Sequence, residues 1–468
     1  MSFSGKRILV VGLARSGMAV IDALHKRDAI LTAYDAKRSE QLETEIKKLQ
    51  DIGVVVYAGV NFPLSGERLD LLVVSPGVPL EVAPIQEAYA LGIPIIGELE
   101  LAYQIKSDQV EMFAITGTNG KTTTTALLQD IMERDGRKSV AGGNIGVALC
   151  SLVDEIDNGV IVAEISSFQL ETAVTFRPHI CGILNITPDH IDRHKTIEEY
   201  IRIKSKIFSQ QDAGDFLILN YEDERVRGYS CLAKSQLIFF STERILPEGV
   251  YVENNFIFIA RDGKTEPIAS LDNALLRGKH NLENILCAVA MAWVAGVRGE
   301  VIQESLSTFK AVRHRLEEVA EHRGVLYVND SKGTNPDATI KALEAFERPI
   351  ILIAGGRAKG GSYDDVAQLM AAKIKGLVLL GEAKDLLKSA VMDYGFKNIY
   401  EVDDFPSAVD KASELADAGD VVLLSPACAS WDMFPSYEHR GDLFCELVGK
   451  IIARDQGDGS FASPSESC

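Results

Sequence analysis

Short runs of apolar, mostly β-branched residues alternate along the chain with longer stretches in which apolar positions recur every three or four residues. That alternation predicts an α/β protein built on parallel sheets with helical crossovers. Three blocks separate. The first has strand-like runs at 7–11, 30–34, 54–56, 71–74 and 93–96. The second has them at 112–115, 160–163, 180–184 and 216–219, and closes on an apolar-rich helix over about 280–294. The third opens near the stretch 311–315, with runs at 325–328, 350–353, 377–380 and 421–424. Domains over 1–99, 100–311 and 312–468 are expected, with a loose tail from about 455, where the periodic pattern stops.

Composition narrows the classes of partner. A net charge of −19 works against nucleic acid or an anionic membrane as partner, because both would repel the surface on average. The seven cysteines are scattered, without a CxxC pair, as expected of reduced thiols in a reducing compartment. No apolar run reaches bilayer length, and the start of the chain lacks the full pattern of a signal peptide. A cytoplasmic protein is expected.

The strongest chemical signal is Thr116-Gly117-Thr118-Asn119-Gly120-Lys121-Thr122-Thr123, where an apolar strand runs into glycines, then Lys-Thr, then a helical pattern. Glycines let backbone N–H groups close around phosphate oxygens, and the helix start adds the positive end of its dipole. Lys121 suits β/γ-phosphate charge and the Thr122 hydroxyl suits Mg²⁺. The common phosphate-loop pattern wants glycine at position 115, where isoleucine stands.

Two polar stretches follow the next strands. Glu164-Ile165-Ser166-Ser167-Phe168-Gln169 follows 160–163, and Asn185-Ile186-Thr187-Pro188-Asp189-His190 follows 180–184. Ligands collect at the carboxyl ends of strands in such sheets, so both are expected near the phosphate loop. Glu164 is a natural oxygen ligand for Mg²⁺. His190 is placed beside it, as a second-sphere group or a partner of the reacting phosphate. His190 and His194 also have the spacing of a zinc pair, which Pro188 and the loop context disfavour.

These motifs resemble those of the Mur ligase family. Gly117 to Thr122 resembles its ATP loop, Gly142-Gly143-Asn144-Ile145-Gly146 its substrate-side turn, and the Glu164 and Asp189-His190 stretches its central motifs. His280-Asn281-x-x-Asn284 and His314-Arg315 follow in the family's order. The resemblance covers nearly the whole chain and implies three domains: an N-terminal Rossmann-like one, a central one like a P-loop ATPase with a mostly parallel sheet, and a C-terminal Rossmann-like one. It implies an ATP-dependent amide ligase that works through an acyl phosphate. Catalysis is then expected of Lys121, Glu164, His190 and Lys204, and ATP binding of Gly117, Thr118, Asn119, Gly120, Lys121, Thr122, Thr123, Asn281, Arg315 and Asp330. Mg²⁺, or Mn²⁺ in its place, would be held by Thr122, Glu164, His190 and Lys204, the last if carbamylated as the family's lysine often is.

The third block bears on the amino acid. Asp330-Ser331-Lys332-Gly333-Thr334-Asn335 and Ser425-Pro426-Ala427-Cys428-Ala429-Ser430 resemble the branch of the family that adds D-glutamate, and the DNPR stretch tied to diaminopimelate is absent. Two carboxylates call for cations and hydroxyls. Lys332, Thr334, Lys359, Ser430, Trp431 and Tyr437 are the expected pocket. The other implied substrate is UDP-N-acetylmuramoyl-L-alanine, as in cell-wall precursor synthesis, and a monomer is expected. For it we assign Gly12, Ala14, Arg15, Ser16, Asp35, Lys37, Ser75, Pro76, Gly77, Asn144, Ser166 and Gln169.

Rival readings remain at this point. Gly12-x-Ala14-x-x-Gly17 is close to a dinucleotide loop, with alanine where glycine is wanted, so an NAD(P)-dependent oxidoreductase is one alternative. A P-loop switch and a folate-type or other Mur-type amino-acid ligase are the others.

Overall fold

A computed structural model describes residues 2–39, 42–60, 64, 68–144, 146–276, 279–309, 313–359 and 362–456. The expected boundary at 311/312 and most of the expected tail lie outside the described residues. Three sheets follow one another along the chain. The first holds β1 (Arg7–Val11), β2 (Ile30–Asp35), β3 (Val55–Ala58), β4 (Leu71–Val74) and β5 (Ile95–Gly97), in the order β3-β2-β1-β4-β5, all parallel.

The second sheet holds β6 (Val110–Thr116), β7 (Ser139–Gly143), β8 (Gly159–Glu164), β9 (Ile180–Ile183), β10 (Phe216–Asn220), β11 (Gln236–Ser241), β12 (Gly249–Glu253), β13 (Phe256–Arg261) and β14 (Lys264–Ser270). Its order is β14-β13-β12-β11-β10-β9-β6-β8-β7. Only β12, β13 and β14 pair antiparallel. Helix Lys279–Val294 covers it with an unbroken buried run from Ile285 to Ala292. A helix apolar on all sides belongs inside a core. Gly182 on β9 allows the close approach, because a Cβ there would lie 2.7 Å from the Cys287 sulfur.

The third sheet holds β15 (Glu317–His322), β16 (Val325–Asn329), β17 (Ile350–Gly355), β18 (Ile374–Leu380), β19 (Ile399–Glu401) and β20 (Val421–Leu424), in the order β15-β16-β20-β17-β18-β19. Alternate residues of its strands fill two cores. Helices 336–344, 364–373 and 384–393 cover one face, and 405–415 with 437–456 the other. Burial on both faces explains why these strands read as continuous apolar runs.

Contacts divide the chain into two compact units. The first contains the first two sheets; the second contains the third sheet and, from the middle of the sequence, Thr187–Ile197. Within the first unit, helix Glu98–Ile105 joins the two sheets. Glu98 accepts the Cys150 N–H at 2.7 Å, and Glu100 accepts the consecutive N–H groups of Val174, Thr175 and Phe176 at 2.8 to 3.0 Å. Lys26 and Arg27 both bond Asp154.

Candidate active site

Each sheet reverses its strand order at one place, and each motif loop leaves a strand there. In the first sheet β1 lies between β2 and β4; in the second β6 lies between β9 and β8; in the third β20 lies between β16 and β17. Loops leaving neighbouring strands at a reversal part toward opposite faces and open a crevice at the carboxyl ends, where α/β proteins bind ligands.

The β6 loop is the most completely formed. Gly120 has φ +85°, and a Cβ on it would lie 2.1 Å from the Asn284 side-chain oxygen, so only glycine fits. Asn185 braces the loop by accepting the Asn119 N–H at 2.8 Å on its side chain and the Thr118 N–H at 2.9 Å on its carbonyl. Lys121 folds back over the loop and donates to the carbonyls of Gly117 and Thr118, both at 2.9 Å. Lys204 reaches the same place from helix Ile197–Ser205. It is buried, donates to the Gly117 carbonyl at 3.0 Å, and lies 4.7 Å over the Tyr200 ring. Two lysines thus converge on one carbonyl.

Thr122 and Glu164 come together as expected. The Thr122 hydroxyl donates to Glu164 Oε2 at 2.8 Å, and Asn144 Nδ2 donates to Oε1 at 2.8 Å. Asn281 and Asn284 bond each other at 3.2 Å on helix Lys279–Val294. Asn284, absent from the expected site, is the one that borders Gly120. Its spacing of three from Asn281 was the available signal.

In the first sheet Gly12 has φ +92°, and a Cβ on Gly17 would fall 1.8 Å from the Gly12 carbonyl oxygen, so the loop and helix Arg15–His25 meet with no side chain between. Asp35 accepts the N–H groups of Leu13 and Lys37, both at 2.8 Å, and Ser75 donates to the Gly12 carbonyl at 2.8 Å. Arg15 donates to the carbonyls of Gly146 and Asn144, which ties this loop to the turn after β7. Lys37 and Gly77 are exposed, Pro76 is partly buried, and Ala14 precedes the first turn that contains Ser16. Ser166 and Gln169 bond each other in a capping box.

The second unit gathers the third group of residues. Asp330 is buried, accepts the Ser425 hydroxyl at 2.8 Å, and is pushed up to about 6 by burial, which the Arg315 charge and the hydroxyl oppose. His314 bonds the Asn329 side chain at 3.0 Å, and burial lowers its pKa. Lys332 lies 5.2 Å over the Tyr437 ring, and Lys359 donates to the Thr334 hydroxyl at 3.2 Å. Ser430 is buried, whereas Trp431 is 62% exposed. His190 has a left-handed φ of +54° and lies in the 187–197 segment, which belongs to this unit.

Two features here escaped sequence reasoning. Arg440 is buried, donates to the Ser331 hydroxyl at 2.9 Å and the Ser331 carbonyl at 2.8 Å, and is lowered to about 10 by burial, so it stays charged. It pins the loop that carries Lys332. Gly333 packs closely, because a Cβ there would meet Asp330 Oδ2 at 2.5 Å and Ser425 Oγ at 2.6 Å, so any larger residue requires those two side chains to shift. Among the described residues no cluster of His, Cys, Asp and Glu has the form of a metal site, and no helix is long and apolar enough to cross a membrane.

Comparison with known proteins bears on the arrangement as a whole. Family models described as Mur ligase MurD-like N-terminal domain, Mur ligase middle domain, and Mur ligase glutamate ligase domain match residues 6–97, 115–292 and 314–428. The chain is 47% identical over 447 residues to the UDP-N-acetylmuramoylalanine–D-glutamate ligase of Pelotomaculum thermopropionicum, covering 95% of this chain and 98% of that one. It is 43% identical to the enzyme of the same name from Clostridioides difficile, over 96% of this chain and 100% of that one. Among solved structures, the UDP-N-acetylmuramate-alanine ligase of Thermotoga maritima aligns with a TM-score of 0.58 at 19% identity, covering 95% and 99% of the two chains. A pseudomurein peptide ligase from Methanothermus fervidus gives 0.58 at 17%, covering 96% and 100%. Three family domains in chain order, relatives matched almost end to end, and a phosphate loop at the reversal of the middle sheet place this chain in the Mur ligase family.

Proposed function

We propose that the protein is an ATP-dependent ligase that joins D-glutamate to UDP-N-acetylmuramoyl-L-alanine, the reaction named for its 47% and 43% identical relatives. The observation that carries this furthest is that each of three sheets offers a different polar loop at its strand-order reversal. The first suits a pyrophosphate, the second a triphosphate, and the third, with Lys332 and Lys359, a dicarboxylate. An oxidoreductase needs no phosphate loop whose lysine is followed by a buried Thr-Glu pair, and a switch protein needs no dicarboxylate pocket.

In this reading Gly117 to Thr123, with Lys121, cradle the ATP phosphates, while Asn281, Arg315 and Asp330 hold its nucleoside. Gly12, Ala14, Arg15, Ser16, Asp35, Lys37, Ser75 to Gly77, Asn144, Ser166 and Gln169 hold the UDP substrate. Lys332, Thr334, Lys359, Ser430, Trp431 and Tyr437 hold D-glutamate. The three domains expected from the sequence, about 1–99, 100–311 and 312–468, are kept as part of the proposal. The γ-phosphoryl group passes to the alanine carboxylate and ADP leaves. The amine of D-glutamate then attacks the acyl phosphate carbon, and inorganic phosphate departs as the amide forms. Lys121 offsets charge on the transferring group, and the loop N–H groups orient it.

The adjacent oxygens of Thr122 and Glu164 fit a hard divalent cation; His190 and Lys204 are the further ligands that the family resemblance implies. Mg²⁺ there would neutralise phosphate charge. A carbamate on Lys204 would keep an N–H for the Gly117 carbonyl and add two anionic oxygens; the mass of the Lys204 peptide tests it. A cytoplasmic monomer is expected, which sedimentation checks. The decisive experiment mixes ATP, the UDP precursor and single amino acids, and weighs the UDP-linked product. A product heavier by D-glutamate alone supports the reading, and ADP release without any heavier conjugate overturns it.

A further inference from the structure

Lys359, a cation assigned above to the D-glutamate pocket, already faces a carboxylate of the protein itself. Asp189 Oδ1 stands 3.9 Å from Lys359 Nζ, with both side chains largely buried (9% and 14% exposed). The other oxygen, Oδ2, accepts from Asn335 Nδ2 at 3.2 Å. The orientation of that amide is fixed independently, because the Asn335 side-chain oxygen accepts the Ala338 N–H at 2.8 Å as the cap of helix Pro336–Glu344. Its NH₂ group must therefore point away from the helix, toward Asp189. Asp189 Oδ1 also accepts the His190 N–H at 3.0 Å, the His190 Nε2 lies 3.6 Å from Oδ2, and the Tyr363 phenol is near enough for the Asp189 charge to act on it.

We infer that Asp189 is an internal gate on the amino-acid pocket, a carboxylate that occupies the Lys359 cation until a carboxylate of the incoming amino acid replaces it. This rests on the proposed function and extends it to the regulation of that site. The geometry supports exchange rather than a permanent pair. At 3.9 Å the ammonium and carboxylate are beyond hydrogen-bond distance, and Lys359 makes its short bond to Thr334 instead. Asp189 screens the lysine without locking it, and a substrate carboxylate in direct hydrogen-bonded contact holds it better. The segment that carries Asp189, Thr187–Ile197, packs in the second unit although both flanking residues, Ile186 and Glu198, belong to the first. Opening the gate therefore releases a contact between that crossing segment and the third sheet's loops.

A site that is closed part of the time weakens apparent binding by the open fraction, so a gate closed nine-tenths of the time raises the apparent constant by about tenfold. Asp189→Asn keeps the size and the bond to Asn335 but removes the competing charge; Asp189→Ala removes both. The measurement is KM for D-glutamate, with kcat read alongside, at saturating ATP and UDP-N-acetylmuramoyl-L-alanine. In either folded variant KM is expected to fall by roughly three- to tenfold. An unchanged or raised KM overturns the gate, as does a fall in kcat with KM unmoved, which would make Asp189 a support for His190 instead. If the unaltered protein forms no D-glutamate conjugate at all, it is the proposed function that fails.

Discussion

The phosphate loop and the amino-acid pocket reach similar ends, the capture of an anion, by opposite construction. The loop is one contiguous stretch, and Lys121 bonds carbonyls only three and four residues behind it. The pocket is assembled from three strand ends, at Asn329, Gly355 and Leu424, held by Arg440 and faced by Asp189 from another part of the chain. A site shaped by backbone should keep its form when a side chain is lost and fail only in its chemistry. A site shaped by side chains should degrade in affinity, step by step. The largest expected effect tests the first half of that contrast. Lys121→Ala should cut phosphoryl transfer by about a thousandfold or more, on the order of 4 kcal/mol of lost transition-state stabilisation, with the thermal midpoint little changed. ADP release measures it, and a loss below tenfold would remove Lys121 from the chemistry.

The next effect asks whether the first unit is equally well held at every pH. Glu98 is buried where the first two sheets join, and its Oε2 has no hydrogen-bond partner among the described residues. Burial raises it from 4.5 to about 7, while the Cys150 N–H and the Arg15 charge oppose the rise. For an acid raised on folding, the folded state carries no penalty below 4.5. The penalty grows as pH climbs through 7 and then levels off. A rise of about 2.5 corresponds to about 3 kcal/mol at full extent. Glu98→Gln removes that dependence at a constant cost for its buried amide. Stability of the variant relative to the parent should therefore improve from pH 5 to pH 8 in thermal melts. A difference that stays flat would mean that Glu98 stays charged or has found a partner.

The same contrast explains what could be read in advance. The phosphate loop was legible because glycines, lysine and threonine sit side by side after an apolar strand, and the strand ends near Glu164, Lys332 and Lys359 were legible for the same reason. The Asp189 contact was not, since Asn335 lies 146 residues away and no local pattern encodes the pairing. The antiparallel additions were also missed. Strand Lys264–Ser270 is largely exposed and contains Pro267, and strand Glu317–His322 carries three glutamates. Such composition protects sheet edges and hides them from a search for apolar runs. A smaller effect tests the pocket directly. Lys332→Ala should raise KM for D-glutamate roughly tenfold, about 1.4 kcal/mol, and leave the ATP KM unaltered, because its held neighbours retain the pocket's shape.

The smallest effect probes the border between the two modes of construction. Ser166 lies two residues beyond Glu164 and caps the short helix Ser167–Glu171. Its hydroxyl donates to Gln169 Oε1 at 2.9 Å and receives the Gln169 N–H at 3.4 Å, while Gln169 Oε1 accepts the Ser166 N–H at 2.9 Å. The box is half backbone and half side chain. Ser166→Ala deletes the hydroxyl and leaves the bond from the Ser166 N–H to Gln169, so the loss should be about 1 kcal/mol, at the ordinary level for a cap. If the backbone alone sets the course of this turn, the thermal midpoint drops slightly and KM for the UDP substrate rises only by the hydroxyl's own contact, severalfold at most. A large fall in kcat would mean that the cap also aims the neighbouring Glu164, and that the second sheet's site depends on side chains as the third's does.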